Sequence, residues 1–180
     1  MTATALQREA WRVLDGASTI LDAARGVSRV LRESGIRGAI VGGIAVGLHG
    51  HVRATLDVDV YAPAPIERFA AALRAAGCAF DARRREHRWA GIPVHIVTDE
   101  PTGRAPSRVC DIAGIQTVGL ADLINMKLRS GMESVLRAQD VADVIALIRV
   151  HRLSGGFVPR IDRAMRSEFR RLLSAVRRGR

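Results

Sequence analysis

Apolar positions along the chain follow two periods. Over residues 18–34, Ile20, Leu21, Ala24, Val27, Val30 and Leu31 recur at three- and four-residue steps, which predicts a helix with one apolar stripe. Ser18 is placed to cap it and Gly35 to stop it. Another helix is expected over residues 3–15. The period then shortens. Ala39-Ile40-Val41 is a brief β-branched run closed by glycine and reads as a buried strand. Ile44 to Leu48 reads as a short helix. Leu56-Asp57-Val58-Asp59-Val60 alternates with period two, so both aspartates project from one strand face. Residues 63–77 predict a helix, with Pro65 in its first turn and Ile66, Phe69, Leu73 and Ala76 on one side. Residues 78–89 read as one strand with a basic solvent face, paired with a strand over 91–98. Residues 101–114 show no period and read as a loop, before a short strand at 115–118.

From residue 120 the helical period returns. Leu120, Leu123, Ile124 and Leu128 line a helix broken by Gly131, and 132–153 forms the next, with Val144, Ile145, Leu147, Ile148 and Leu153 as core. Ser154-Gly155-Gly156 is a flexible break. A last helix, 159–178, sets Ile161, Met165, Phe169, Leu172, Leu173 and Val176 against seven arginines: Arg160, Arg163, Arg166, Arg170, Arg171, Arg177 and Arg178. That side suits RNA or an acidic partner, and equally a solvated surface. The pattern gives an α/β fold: a small mixed sheet with flanking helices and a helical C-terminal portion. The division expected is an α/β core over 1–118 and a helical portion over 119–180 packed on it.

Composition adds three limits. Aromatic residues make up 4% of the 180 residues, so aliphatic side chains must build the core. No apolar run reaches the roughly 18–20 residues of a membrane span, and the first ten residues lack signal-peptide order, so a cytoplasmic protein with no membrane partner is expected. Cys78 and Cys110 make no metal spacing and read as buried free thiols. The net charge of +10 favours polyanionic partners, with RNA first, although an arginine-rich, alanine-rich composition also produces such a charge without selection for binding.

The candidate chemistry lies between Gly38 and Tyr61. A glycine pair, Gly42-Gly43, between strand and helix lets backbone N–H groups approach an anion. At about 3.3 Å rise per residue, the Cα atoms of Asp57 and Asp59 lie roughly 6–7 Å apart, close enough for both carboxylates to hold one or two divalent ions. Further on, Lys127 is the only lysine in the chain. Arg137, Asp140 and Asp143, three apart, share one helix face.

Gly42-Gly43, His49-Gly50, Arg53-Ala54-Thr55 and Asp57-Val58-Asp59, in that order, resemble the nucleotidyltransferase superfamily, the polymerase-β-like group. The nearest likeness is to the minimal bacterial branch of AbiEii-type toxins, whose later lysine and R-x-x-D-x-x-D motif match Lys127, Arg137, Asp140 and Asp143. The resemblance implies transfer of a nucleoside monophosphate from a nucleoside triphosphate to an acceptor hydroxyl. It implies Mg²⁺ (or Mn²⁺) on Asp57 and Asp59, and nucleotide contacts from Gly42, Gly43, Arg53, Thr55 and Lys127. Asp140, with Asp143 as the other choice, would organise the site. RNA is the implied acceptor and an acidic antitoxin an implied partner. One departure stands out. Where the superfamily commonly has a third carboxylate, this chain has His95, so that role passes to Asp99 or Glu100 or is absent. The alternative is a catalytically degenerate module that binds nucleotide or RNA without turnover.

Overall fold

The computed structural model describes residues 20–99 and 104–179. The helix expected over 3–15, the Ser18 cap and Glu100 lie outside the described residues. The elements begin with helix α1 (Ile20–Glu33), strand β1 (Ala39–Ile40), helix α2 (Gly42–Leu48), β2 (Val58–Tyr61) and α3 (Glu67–Ala75). Four strands follow: β3 (Ala79–Asp81), β4 (Glu86–Trp89), β5 (Ile92–Val97) and β6 (Val109–Ile112), then β7 (Ile115–Val118). Helices α4 (Leu120–Glu133), α5 (Ala138–Val150) and α6 (Arg166–Arg178) complete the chain, linked by short 3-10 turns.

The seven strands among the described residues join one mixed sheet in the order β3-β4-β5-β2-β1-β7-β6. β2 runs parallel to β5, and β1 parallel to β7, while the remaining neighbours are antiparallel. Alternation along β2 divides its residues between two layers. Val58, Val60 and Ala62 join Val27, Leu31, Phe69 and Leu73 in an apolar cluster with α1 and α3. Tyr61 faces the other way, into a second cluster with Leu123, Leu128, Val144, Leu147 and Phe169 of α4, α5 and α6. Asp57 and Asp59 share the side of Tyr61. The second cluster draws on both sides of the 118/119 boundary, from Ala39, Val41 and Val118 as well as the C-terminal helices.

Several expectations change in detail. The single strand over 78–89 is a hairpin: Asp81 Oδ1 accepts the backbone N–H groups of Arg83 (3.0 Å) and Arg84 (3.1 Å) and turns the chain. Two more hairpins, β4–β5 and β6–β7, turn on Ala90-Gly91 and Ala113-Gly114, with both residues of each pair at positive φ. Alanine is a poor advertisement for such a turn, which is why the segment holding β6 reads as loop. Gly131 does not break its helix. A Cβ there would lie 2.7 Å from Val141 Cγ2, so this glycine lets α4 and α5 approach. The break comes at Ser134, whose Oγ accepts the N–H of Leu136. The last helix starts at Arg166, later than expected, because Pro159 and its neighbours form 3-10 turns; Gly155 and Gly156 belong to the first of these.

One close contact ties the hairpin edge to the helical layer beneath it. A Cβ on Gly26 of α1 would come within 2.3 Å of Trp89 Cζ2 of β4. Gly26→Val should therefore expel the indole and destabilise the protein by about 1–3 kcal/mol, read as a lower urea midpoint with unchanged slope. An unchanged midpoint would show that Trp89 does not anchor β4 on α1.

Candidate active site

Strand β2 carries Asp59, Asp57 lies in the bend immediately before it, and β5 brings a partner to the pair. Parallel pairing sets Asp59 beside His95. Nδ1 of His95 lies 3.4 Å from Asp57 Oδ2 and 3.5 Å from Asp59 Oδ1. One ligand atom from each of the three residues falls within 4.8 Å of the others, a spacing that could hold a metal ion. Burial, and then the neighbouring charge of Asp57, push the Asp59 carboxyl above its ordinary value, against the opposing pull of His95 and Lys127. The two carboxylates thus face one another in want of positive charge, and a divalent cation would meet that want.

The surrounding backbone is shaped to this pair. Gly42 has φ +63°, and a Cβ on it would lie 1.9 Å from Asp59 Oδ2. Glycine is required there twice over, by the left-handed conformation and by the carboxylate pressed against it. Beyond Gly43, the nearest atom to a would-be Cβ is Thr55 Oγ1, at 2.6 Å. That hydroxyl donates to Asp57 Oδ1 at 3.2 Å. The structure therefore joins Gly42, Gly43, Thr55, Asp57, Asp59 and His95 in one place.

A second constellation lies alongside, on α4 and α5. Lys127 Nζ donates to Asp140 Oδ1 at 2.5 Å and lies 3.0 Å from Asp143 Oδ2. Arg53 reaches the same Asp143 with both prongs of its guanidinium, Nε to Oδ1 at 2.7 Å and Nη2 to Oδ2 at 2.9 Å. Gln139 adds a further bond to Asp143, and Ser130 donates to Asp140 Oδ2 at 2.7 Å. Asp143 has no exposed surface, and Lys127 and Asp140 are buried. Burial alone would raise the Asp143 carboxyl, but the Arg53 fork and the Lys127 ammonium outweigh it and hold the group below the usual carboxylate range. Arg53 is shifted further upward by its bond to Asp143.

Both cations expected to meet a triphosphate, Arg53 and Lys127, thus have their charge engaged by Asp140 and Asp143. Arg137 lies 3.5 Å from Asp140 and donates to Ser130 Oγ, so the R-x-x-D-x-x-D residues do lie together. Of the substitutes for the third carboxylate, Asp99 accepts the Tyr61 hydroxyl at 2.6 Å. Sequence reasoning missed Glu86. Its Oε2 lies 3.7 Å from His95 Nε2, because continuing the β4–β5 register by one residue sets Glu86 opposite His95. The signal was the Asp81 turn: with the hairpin recognised, the period of β4 puts Glu86 on that face. His49, part of the motif, lies outside this group. Its Nε2 is 2.8 Å from the Val118 carbonyl, and burial lowers its pKa.

No family model matches the chain, and no curated protein does. Among solved structures, it is similar to an antigenic nucleotidyltransferase-like protein from Paracoccidioides brasiliensis, at 16% identity and a TM-score of 0.53, over 72% of this chain and 75% of that one. The likeness establishes a nucleotidyltransferase-like fold. No described helix is long and apolar enough to cross a membrane.

Asp143→Ala takes from Arg53 the carboxylate its fork holds and leaves Lys127 with Asp140 alone. It should cost about 3 kcal/mol, the low end for a broken buried pair, in denaturant unfolding. A group with a lowered folded pKa adds stability that is complete above its unfolded value, about 3.9, and is lost as pH falls through the folded value. Unfolding midpoints measured from pH 6 down to pH 2 should therefore fall below about pH 4, and less steeply in Asp143→Asn. Parallel profiles for the two proteins would remove Asp143 from that account.

Proposed function

We propose that this protein is a metal-dependent nucleotidyltransferase that moves a nucleoside monophosphate from a nucleoside triphosphate to an acceptor hydroxyl. The observation that carries this reading is the convergence of Asp57, Asp59 and His95 on a nucleotidyltransferase-like fold. When bound, a divalent cation (Mg²⁺ or Mn²⁺) supplies the charge that favours in-line attack on the α-phosphorus and departure of pyrophosphate. Asp57 and Asp59 hold it. Thr55 steadies Asp57, and Gly42 leaves room for Asp59 while backbone N–H groups at Gly42 and Gly43 receive the phosphates. Lys127 and Arg53 set positive charge at the site's border. An incoming triphosphate would compete with Asp140 and Asp143 for them, so these aspartates keep the cations in position before substrate arrives.

RNA is the proposed acceptor. The net charge of +10 supports it, as does the likeness of the Gly42–Asp59 and Lys127–Asp143 motifs to AbiEii-type toxins. On the same footing the protein acts in the cytoplasm, as the toxin of a pair whose antitoxin is acidic. The proposed catalytic unit is residues 1–118, with 119–180 contributing Lys127 and Asp140 from the helical portion. His95 favours one competing reading, a module that retains the fold and binds nucleotide or RNA without turnover.

Transfer from α-³²P-labelled nucleotides to total RNA separates the two. Native protein should label a discrete RNA band, and Asp57→Ala/Asp59→Ala should reduce the label to background. Absence of label, together with no pyrophosphate release in cell extract, would establish the binding module instead.

A further inference from the structure

His95 presents its two ring nitrogens to different neighbours. Nδ1 faces the Asp57–Asp59 pair, and Nε2 faces Glu86. Glu86 is itself held, since Oε1 accepts both Nε (2.9 Å) and Nη2 (2.7 Å) of Arg88, whose Nη1 donates to the Gly91 carbonyl. Glu86 Oε2, 3.7 Å from Nε2, makes an ion-pair contact rather than a hydrogen bond. A carboxylate behind an imidazole whose other nitrogen faces a cation site is nonetheless placed as those that orient metal-binding histidines and raise their basicity. The strands impose it: Glu86, His95 and Asp59 occupy adjacent positions across β4, β5 and β2.

The donor set follows from that placement. Two carboxylates and an imidazole carry one negative charge fewer than three carboxylates. The site therefore attracts a hard, oxygen-seeking cation less strongly while offering a nitrogen donor that first-row transition metals accept well. Mg²⁺ takes oxygen ligands and water almost exclusively. We propose that the Asp57–Asp59–His95 centre selects a first-row transition-metal dication over Mg²⁺, with His95 bound through Nδ1 and Glu86 orienting its ring. This rests on the metal-dependent reading above and specifies its cation. Glu86 is a positioning residue here, acting through His95.

The test uses metal-stripped full-length protein and Mn²⁺ as the probe. Loss of the free-Mn²⁺ paramagnetic resonance signal measures binding, and competition with Mg²⁺ gives the preference. The expected result is one Mn²⁺ site at least about tenfold tighter than Mg²⁺. Spin-echo modulation of the bound Mn²⁺ should show a directly coordinated nitrogen. His95→Asp should abolish the nitrogen coupling and bring the two affinities together. Glu86→Gln should keep the coupling but weaken Mn²⁺ binding by about 10–100-fold. Equal affinities, or bound Mn²⁺ without nitrogen coupling in the native protein, would overturn the proposal and leave metal-dependent transfer standing. No binding of either cation at millimolar concentration would remove the metal centre itself, and both readings with it. Should His95→Asp fail to fold, the nitrogen coupling of the native protein decides alone.

Discussion

Two carboxylates on one strand face repel each other, and partial burial strengthens the repulsion because less water screens it. This constraint organises the acidic edge of the sheet face on which α4 and α5 pack. Asp57 and Asp59 lie with His95 on one flank and the Lys127 ammonium near enough to pull the Asp59 pKa down against the upward push of burial. Lys127 in turn would be an isolated buried charge without Asp140 and Asp143, and Asp143 is compensated by Arg53 together with Lys127. Each ion is tolerated at low dielectric because the next is in place. The chain of compensation runs from β2 through the loop that carries Arg53 to α4 and α5. The C-terminal helices are therefore attached to the sheet by charge as well as by the apolar cluster around Leu128 and Val144.

The local rules made much of this legible. Period two through Asp57-Val58-Asp59 gave the strand, its polar face and the acidic pair, because each is a property of neighbouring residues. The helical periods of α1, α3, α4 and α5 were legible for the same reason. What escaped depended on contacts between distant segments. Gly131 reads as a breaker by composition, yet it is small because Val141 lies against it. The Ala-Gly hairpin turns carry only half the usual turn signal, and with them went the edge strand β6. Glu86 escapes a reading of residues 78–89 as one strand, since its position follows from the turn at Asp81 and the pairing of β4 with β5.

Charge engagement was the least legible property. Arginine and lysine before and after an acidic motif suggest phosphate contacts, and sequence spacing contains nothing about the carboxylates that meet them first. Asp140 and Asp143 were visible as a helix face, while the fork of Arg53 across to Asp143 joins residues 90 positions apart. The basic stretch around Arg83 to Arg88 gives a similar lesson. Arg88 is held by Glu86 and the Gly91 carbonyl, so it serves the local architecture of the hairpin.

The row Glu86, His95, Asp59 has a consequence for how such a protein fails. Its side chains are spaced by the roughly 4.8 Å between hydrogen-bonded strands, so the main chain rather than side-chain flexibility sets their separation. Sliding β5 by one residue against its neighbours would turn His95 into the apolar layer and Val94 out toward the carboxylates. No intermediate register retains the row. Loss of the row and strand separation should accordingly be a single event, with no partly assembled centre between them.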